Sequence, residues 1–235
     1  MPTAHANGID IYYETHGEGP PLLLIGGLST DITDLRRMIS RLPPRHRVIA
    51  FDNRGAGRTD KPDVPYSIPM MADDAAGLLD VIGVKHTDVL GISMGGRIAV
   101  DLTLRHPSLV GKLILVSTHV GPHGAGTRRL LDVLEWIPFF RGSRKYPMPR
   151  YAMRRQREAV RTYDATDRLH EIVAPTLIMH GRRDRIASFE QAREMSRLIR
   201  GSWFVPFRGG HIFMMFEMQR FLDEVARFLA SDPAA

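Results

Sequence analysis

Apolar residues in this chain gather into two kinds of stretch. The first is short and continuous: Pro21 to Ile25, Arg47 to Phe51, Asp88 to Ile92, Lys112 to Val116 and Pro175 to Met179. Short apolar runs bounded by turn residues predict strands covered on both faces, and Ser202 to Phe207 reads as a last strand. The second kind is periodic. In Ile68 to Val84 the residues Met71, Ala75, Leu78, Leu79 and Ile82 recur at spacings of three and four. Gly95 to Arg105, Phe189 to Ile199 and Phe213 to Leu229 follow the same rule and predict amphipathic helices. Near the start, Asn7-Gly8 precedes the alternating run Ile9-Asp10-Ile11-Tyr12-Tyr13, a hairpin signal. Strands alternating with helices predict one α/β domain, a parallel sheet with helices on both faces.

One stretch breaks the alternation. Gly121 to His170 has no strand-like run and many prolines and arginines. It divides the chain into a core made of residues 1–120 and 171–235 and an inserted segment, residues 121–170, expected to be helical.

Composition narrows the functional classes. The chain has 235 residues, 43% of them hydrophobic and 25% charged, which is ordinary for a globular protein. A single domain of this size buries roughly 70% of its unfolded surface, enough for a core without covalent staples. With no cysteine, disulfide scaffolds, thiol nucleophiles and thiolate metal sites are excluded. No apolar stretch approaches the ~20 residues of a membrane span. No basic, then apolar, then small-residue leader follows Met1, so a cytoplasmic location without membrane insertion is expected.

The strongest chemical signal is Gly91-Ile92-Ser93-Met94-Gly95-Gly96, between a predicted strand and a predicted helix. This is the G-x-S-x-G nucleophile elbow. A serine on so sharp a turn has unfavourable dihedrals and needs neighbours almost free of side chain, as Gly91 and Gly95 are. The turn lifts the hydroxyl out of the sheet, and the helix N-terminus turns positive dipole toward developing negative charge. The glycine pattern of a phosphate-binding or dinucleotide-binding loop is absent here.

A serine hydroxyl is a weak nucleophile and needs a base held by a third group. His211 is the candidate base: Arg208-Gly209-Gly210-His211 lies between the last predicted strand and the C-terminal helix. His106, before Pro107, reads as a helix end, and His180 as a strand end that packs or bonds locally. Asp184, just past the strand Thr176 to Met179, is the candidate acid, with Glu190 and Asp167 as second choices. A carboxylate there sits where ligands meet open α/β sheets.

These residues in this order resemble the α/β-hydrolase family from about Gly8 to Leu229. Asp52-Asn53-Arg54-Gly55-Ala56-Gly57-Arg58-Thr59 is similar to the family's D-x-R-G-x-G-x-S, with Thr59 in the serine position. Pro175 to Asp184 is similar to the P-x-L-x-x-x-G-x-x-D stretch that carries the acid. Gly26-Gly27-Leu28 stands where the family has H-G-x, and Ser188 replaces a proline four residues after the acid. The resemblance implies a mostly parallel sheet of the eight-stranded type and an oxyanion hole built from the N–H groups of Leu28 and Met94. It also makes residues 121–170 a short cap. Gly27, Trp136, Ile137, Phe139 and Phe140 become candidate pocket residues, with Tyr146, Met148 and Met153 as further ones.

The expected activity is hydrolysis of carboxylic esters through an acyl-enzyme, without cofactor or metal. Lactone hydrolysis is the near alternative; perhydrolysis, carbon–carbon bond hydrolysis and a non-enzymatic binding protein rank lower. Charge adjusts this little. The net +6 lies wholly within residues 121–170, where eleven basic residues face five acidic ones. A nucleic-acid footprint across the fold is therefore not expected, and the partner is a small ester or lactone. A solvated outer face explains the charge most simply, with steering of anionic esters as the sharper alternative.

Overall fold

The computed structural model describes residues 2–122 and 145–231. Its eight strands are β1 (Thr3–Ala6), β2 (Ile9–His16), β3 (Pro21–Ile25), β4 (Arg47–Phe51), β5 (Thr87–Ile92), β6 (Val110–Val116), β7 (Thr176–Gly181) and β8 (Trp203–Phe207). They form one sheet in the order β1-β2-β4-β3-β5-β6-β7-β8. β1 and β2 run antiparallel to their neighbours, and every later pairing is parallel.

The continuous apolar runs are explained by where their alternate residues go. In β3, Leu23 and Ile25 enter one core while Leu22 and Leu24 enter the other. In β6, Leu113 and Leu115 oppose Ile114 and Val116 in the same way. The first core is covered by α2 (Ile68–Val81) and α3 (Met94–Arg105), and the second by α1 (Ile32–Ile39) and the C-terminal helix. Both faces of a parallel sheet are thereby dry, the condition for strands without polar alternation.

Two helical details differ from the expectation. α1 is an additional helix of eight residues, started by Asp31, whose side chain accepts the Thr33 and Asp34 N–H groups in a capping box. The helix expected over Phe213 to Leu229 is two, α6 (Phe213–Phe216) and α7 (Met218–Ala230). They part at Glu217, where the backbone leaves helical dihedrals and the side chain turns back to accept the N–H groups of Arg208 and Gly209.

Of residues 121–170, positions 123–144 lie outside the described residues, and with them Trp136, Ile137, Phe139 and Phe140. The rest is helical where it is regular: α4 (Arg150–Thr162) and a 3-10 turn over Thr166–Glu171. Met148 and Met153 are buried with Ala56 and Ala152, and the Tyr151 hydroxyl donates to the Lys61 carbonyl at 2.7 Å. Arg155, Arg161 and Arg168 pair with Asp63, Glu158 and Glu171 on the exposed side. α5 (Phe189–Leu198) follows β7 and is capped by Ser188. No helix among the described residues is long and apolar enough to cross a membrane.

Candidate active site

The strand order reverses between β3 and β5: β3 connects outward to β4, and β5 connects the other way to β6. In open α/β sheets the crevice beyond the strand ends at such a point is the place for a ligand. Ser93 follows β5 there, and a side chain on Gly27, in the loop after β3, would come into van der Waals contact with it.

Ser93 has φ +55° and ψ −115°, a conformation that a residue with a side chain rarely adopts. Close packing forces it. A Cβ on Gly91 would strike the Gly95 carbonyl, one on Gly95 the Ile25 carbonyl, and one on Gly96 the Thr118 side chain. The Ser93 carbonyl accepts from the Gly96 N–H at 2.9 Å and from the Thr118 hydroxyl at 2.8 Å.

Asp184 and His211 come from the ends of β7 and β8. Their loops are in backbone contact: the Arg182 and Arg183 N–H groups donate to the carbonyls of Phe207 and Gly209 at 2.8 and 3.0 Å. His211 Nε2 lies 3.0 Å from Ser93 Oγ, and its Nδ1 lies 2.8 Å from Asp184 Oδ2. An ionised carboxylate only accepts, so the imidazole proton belongs on Nδ1 and Nε2 is left as acceptor for the hydroxyl. The His211 side chain keeps 17% exposure while that of Asp184 has none, so the imidazole is reachable and the carboxylate is sealed.

Burial alone would raise the Asp184 pKa. Hydrogen bonds from His180 and His211, the attraction of the His211 ring, and the Ala187 N–H outweigh it and hold the carboxyl well below the usual range. Its Oδ1 also accepts the Ile186 N–H at 2.8 Å and the Ala187 N–H at 2.9 Å. His180 is fully buried; its Nε2 lies 3.0 Å from the Ala187 carbonyl and 3.3 Å from Asp184 Oδ2. Glu190 instead pairs with Arg193, and Asp167 lies in the 3-10 turn. His106 closes α3, as its place before Pro107 implied.

Leu28 lies in the loop after β3, and Met94 is the first residue of α3. A first-turn N–H has no acceptor within its own helix and is left for another partner. The Thr59 hydroxyl donates to the Asp52 carbonyl at 2.6 Å and accepts the Tyr12 N–H at 2.9 Å, work that needs a hydroxyl and not serine in particular. Among the described residues, no group of three or more His, Asp or Glu is placed to hold a metal ion.

Two residues near this site escaped the sequence reading. Ser117, fully buried at the end of β6, donates its hydroxyl to the His211 carbonyl at 2.6 Å. Its signal was a polar pair, Ser117-Thr118, directly after an apolar strand. Gln156 is the second, a polar residue at helical spacing with Ala152 and Ala159, and hence on their face of α4.

The sequence matches the family described as "alpha/beta hydrolase fold" over residues 20–147, more than half of the chain. A protein of Azorhizobium caulinodans named a carbamate hydrolase is 38% identical over 62% of this chain and 55% of its own length. The 2-hydroxymuconate semialdehyde hydrolase of Pseudomonas sp. CF600 is 28% identical over 98% of this chain and 94% of its own. Among solved structures, the enol-lactonase from Burkholderia xenovorans LB400 superposes with a TM-score of 0.83 at 25% identity, over 98% of this chain and all of the other. With the sheet order, the elbow and the residues 20–147 in agreement, this chain belongs to the α/β-hydrolase fold family.

Proposed function

We propose that this protein is a serine hydrolase of carboxylic esters, working through an acyl-enzyme on Ser93. The observation that carries the reading is the hydrogen-bonded chain Ser93–His211–Asp184, at 3.0 and 2.8 Å, beyond the strand ends. His211 Nε2 takes the hydroxyl proton as Oγ attacks the ester carbonyl carbon. The carbonyl oxygen becomes an oxyanion, which the N–H groups of Leu28 and Met94 stabilise; one such donor contributes about 2.7–4 kcal/mol. The imidazolium then protonates the departing alkoxide, the ester C–O bond breaks, and the acyl group stays on Ser93. A water, deprotonated by His211, attacks the acyl carbon; the acid leaves and the proton returns to Oγ. Asp184 fixes the imidazole tautomer and stabilises its cation throughout.

Residues 121–170 act as a short cap in this reading. A second substrate class, lactones, is favoured by the full-length likeness to an enol-lactonase; a lactone is a cyclic ester that the same steps would open. Turnover of p-nitrophenyl esters of increasing acyl length, beside a set of lactones, tests both. Open-chain turnover that Ser93→Ala abolishes upholds the ester reading. Lactone turnover alone replaces it with the second class, and turnover of neither overturns both.

A further inference from the structure

The buried residues of α4 are Ala152, Met153, Gln156 and Ala159. Three suit simple packing against the body. The fourth is an amide with no solvent exposure at all. Burying an amide costs free energy unless each arm finds a partner, and both arms of Gln156 do. Its Oε1 accepts the Ser29 N–H at 2.9 Å, and its Nε2 donates to the Arg54 carbonyl at 2.7 Å. These partners fix the amide orientation, since an N–H must face an acceptor and a carbonyl a donor.

The Ser29 bond falls on a particular kind of turn. Gly27 to Thr30 is closed by the Thr30 N–H donating to the Gly27 carbonyl at 3.2 Å, with Ser29 at φ +59°. A positive φ at the third position but not at the second, Leu28, marks a type II turn, and glycine is the residue that fits there without strain. Serine has a Cβ, so reversing the peptide between Leu28 and Ser29 would relax it toward an ordinary type I turn. The Gln156 carbonyl holds the N–H of that very peptide. The peptide on the other side of Leu28 shares its atoms with the Gly27 carbonyl, which Thr30 holds. Both peptides flanking Leu28 are thus tied, one by the turn itself and one by α4.

α4 is in turn seated by the helix that follows the elbow. Arg97, buried on α3, donates to the Val160 and Tyr163 carbonyls at 3.3 and 3.0 Å, at the C-terminal end of α4 where a cation is favoured.

We propose that Gln156 is a positioning residue: it holds the Gly27–Thr30 turn in the form that presents the Leu28 N–H to the oxyanion, so that the seating of α4 sets transition-state stabilisation. The inference rests on the acyl-transfer reading above. An interaction made mainly with the transition state lowers kcat when lost and leaves KM nearly unchanged.

The experiment compares Q156M with wild type on p-nitrophenyl acetate, and measures inhibition by an aryl trifluoromethyl ketone, whose serine adduct places an oxyanion in the hole. Methionine keeps the length and apolar packing and removes both arms. The expected result is a kcat lowered roughly 10- to 100-fold, a KM within about twofold and ketone affinity weakened by a factor similar to that of kcat. Adding S29G should restore most of the loss, since glycine takes the positive φ without a Cβ penalty. Unchanged kcat and ketone affinity in folded Q156M, or a loss that S29G does not relieve, would overturn the inference. If Q156M fails to fold, Q156E keeps an acceptor for Ser29 and Q156K only a donor for Arg54. A higher kcat in Q156E supports the proposal, and an equal or lower one sinks it. Ser93→Ala is the control that separates the two ideas: retained turnover there removes the acyl-transfer reading itself, whereas abolished turnover beside a normal Q156M removes only the role of Gln156.

Discussion

The residues around Ser93 and the loops that carry Asp184 and His211 meet at one hydroxyl, yet different forces hold them there. The elbow is a matter of contact. Its strained serine persists because Gly91, Gly95 and Gly96 leave no room for a side chain against the Gly95 and Ile25 carbonyls and Thr118. The other half is a matter of hydrogen bonds: the Arg182 and Arg183 N–H groups on the β8 loop, Ser117 on the His211 carbonyl, and the N–H donors around Asp184. Contacts of the first kind fail by misfolding and those of the second by misalignment. The same crevice should therefore show two kinds of mutational damage.

The largest effects test whether the halves act as one unit. Ser93→Ala and His211→Ala should each lower kcat by roughly 10⁴- to 10⁶-fold, and the double variant no further. Thermal unfolding should barely move for Ser93→Ala, whereas His211→Ala, which takes a hydrogen bond from the sealed Asp184 carboxylate, should lower it modestly. Multiplicative losses would show that serine and histidine act separately.

Asp184→Asn should cost roughly 10⁴-fold in kcat, because the amide spoils the tautomer that leaves Nε2 free. It also carries a pH signature. The folded carboxyl is held below its ordinary pKa, so its contribution to stability is complete above the unfolded value near ~4 and is lost as the pH falls through the folded one. The stability advantage of wild type over Asp184→Asn should still be present at about pH 5 and close only in stronger acid, as read by urea midpoints.

Gly95→Ala sharpens the other side of the comparison. It should destabilise the fold by about 3 kcal/mol or more, seen as a lowered denaturant midpoint or lost soluble yield. A well-folded Gly95→Ala that still reacts with a fluorophosphonate would refute the steric account of the elbow. The smallest effect is that of Ser117→Ala. Removing one hydroxyl bond worth about 1 kcal/mol should lower kcat several-fold with the elbow intact and fluorophosphonate labelling still confined to Ser93.

The elbow was readable in advance because its cause is local. Glycines on both sides of a serine, after an apolar run and before a helical period, encode the turn within six residues. The strands were readable for a similar reason: residues such as Leu22 to Ile25 are apolar at every position because both faces of the sheet are covered. α1 was harder. It has only eight residues, and its apolar positions Ile32, Leu35, Met38 and Ile39 are diluted by charges, so its clearest mark is the cap at Asp31. The break at Glu217 was not readable, because it depends on N–H groups of Arg208 and Gly209 presented by another loop.

The sequence by itself determined the α/β alternation, the serine on its turn and the order in which serine, acid and histidine follow one another. Those properties rest on backbone sterics and on the period of burial, which act over a few residues. Only the tertiary structure decided that His211 lies 3.0 Å from Ser93 across 118 positions of chain, that Ser117 holds the histidine's carbonyl, and that Gln156 reaches the turn of Leu28. Those contacts join loops from different strands, and their distances follow from sheet order and register, which no short stretch of sequence contains.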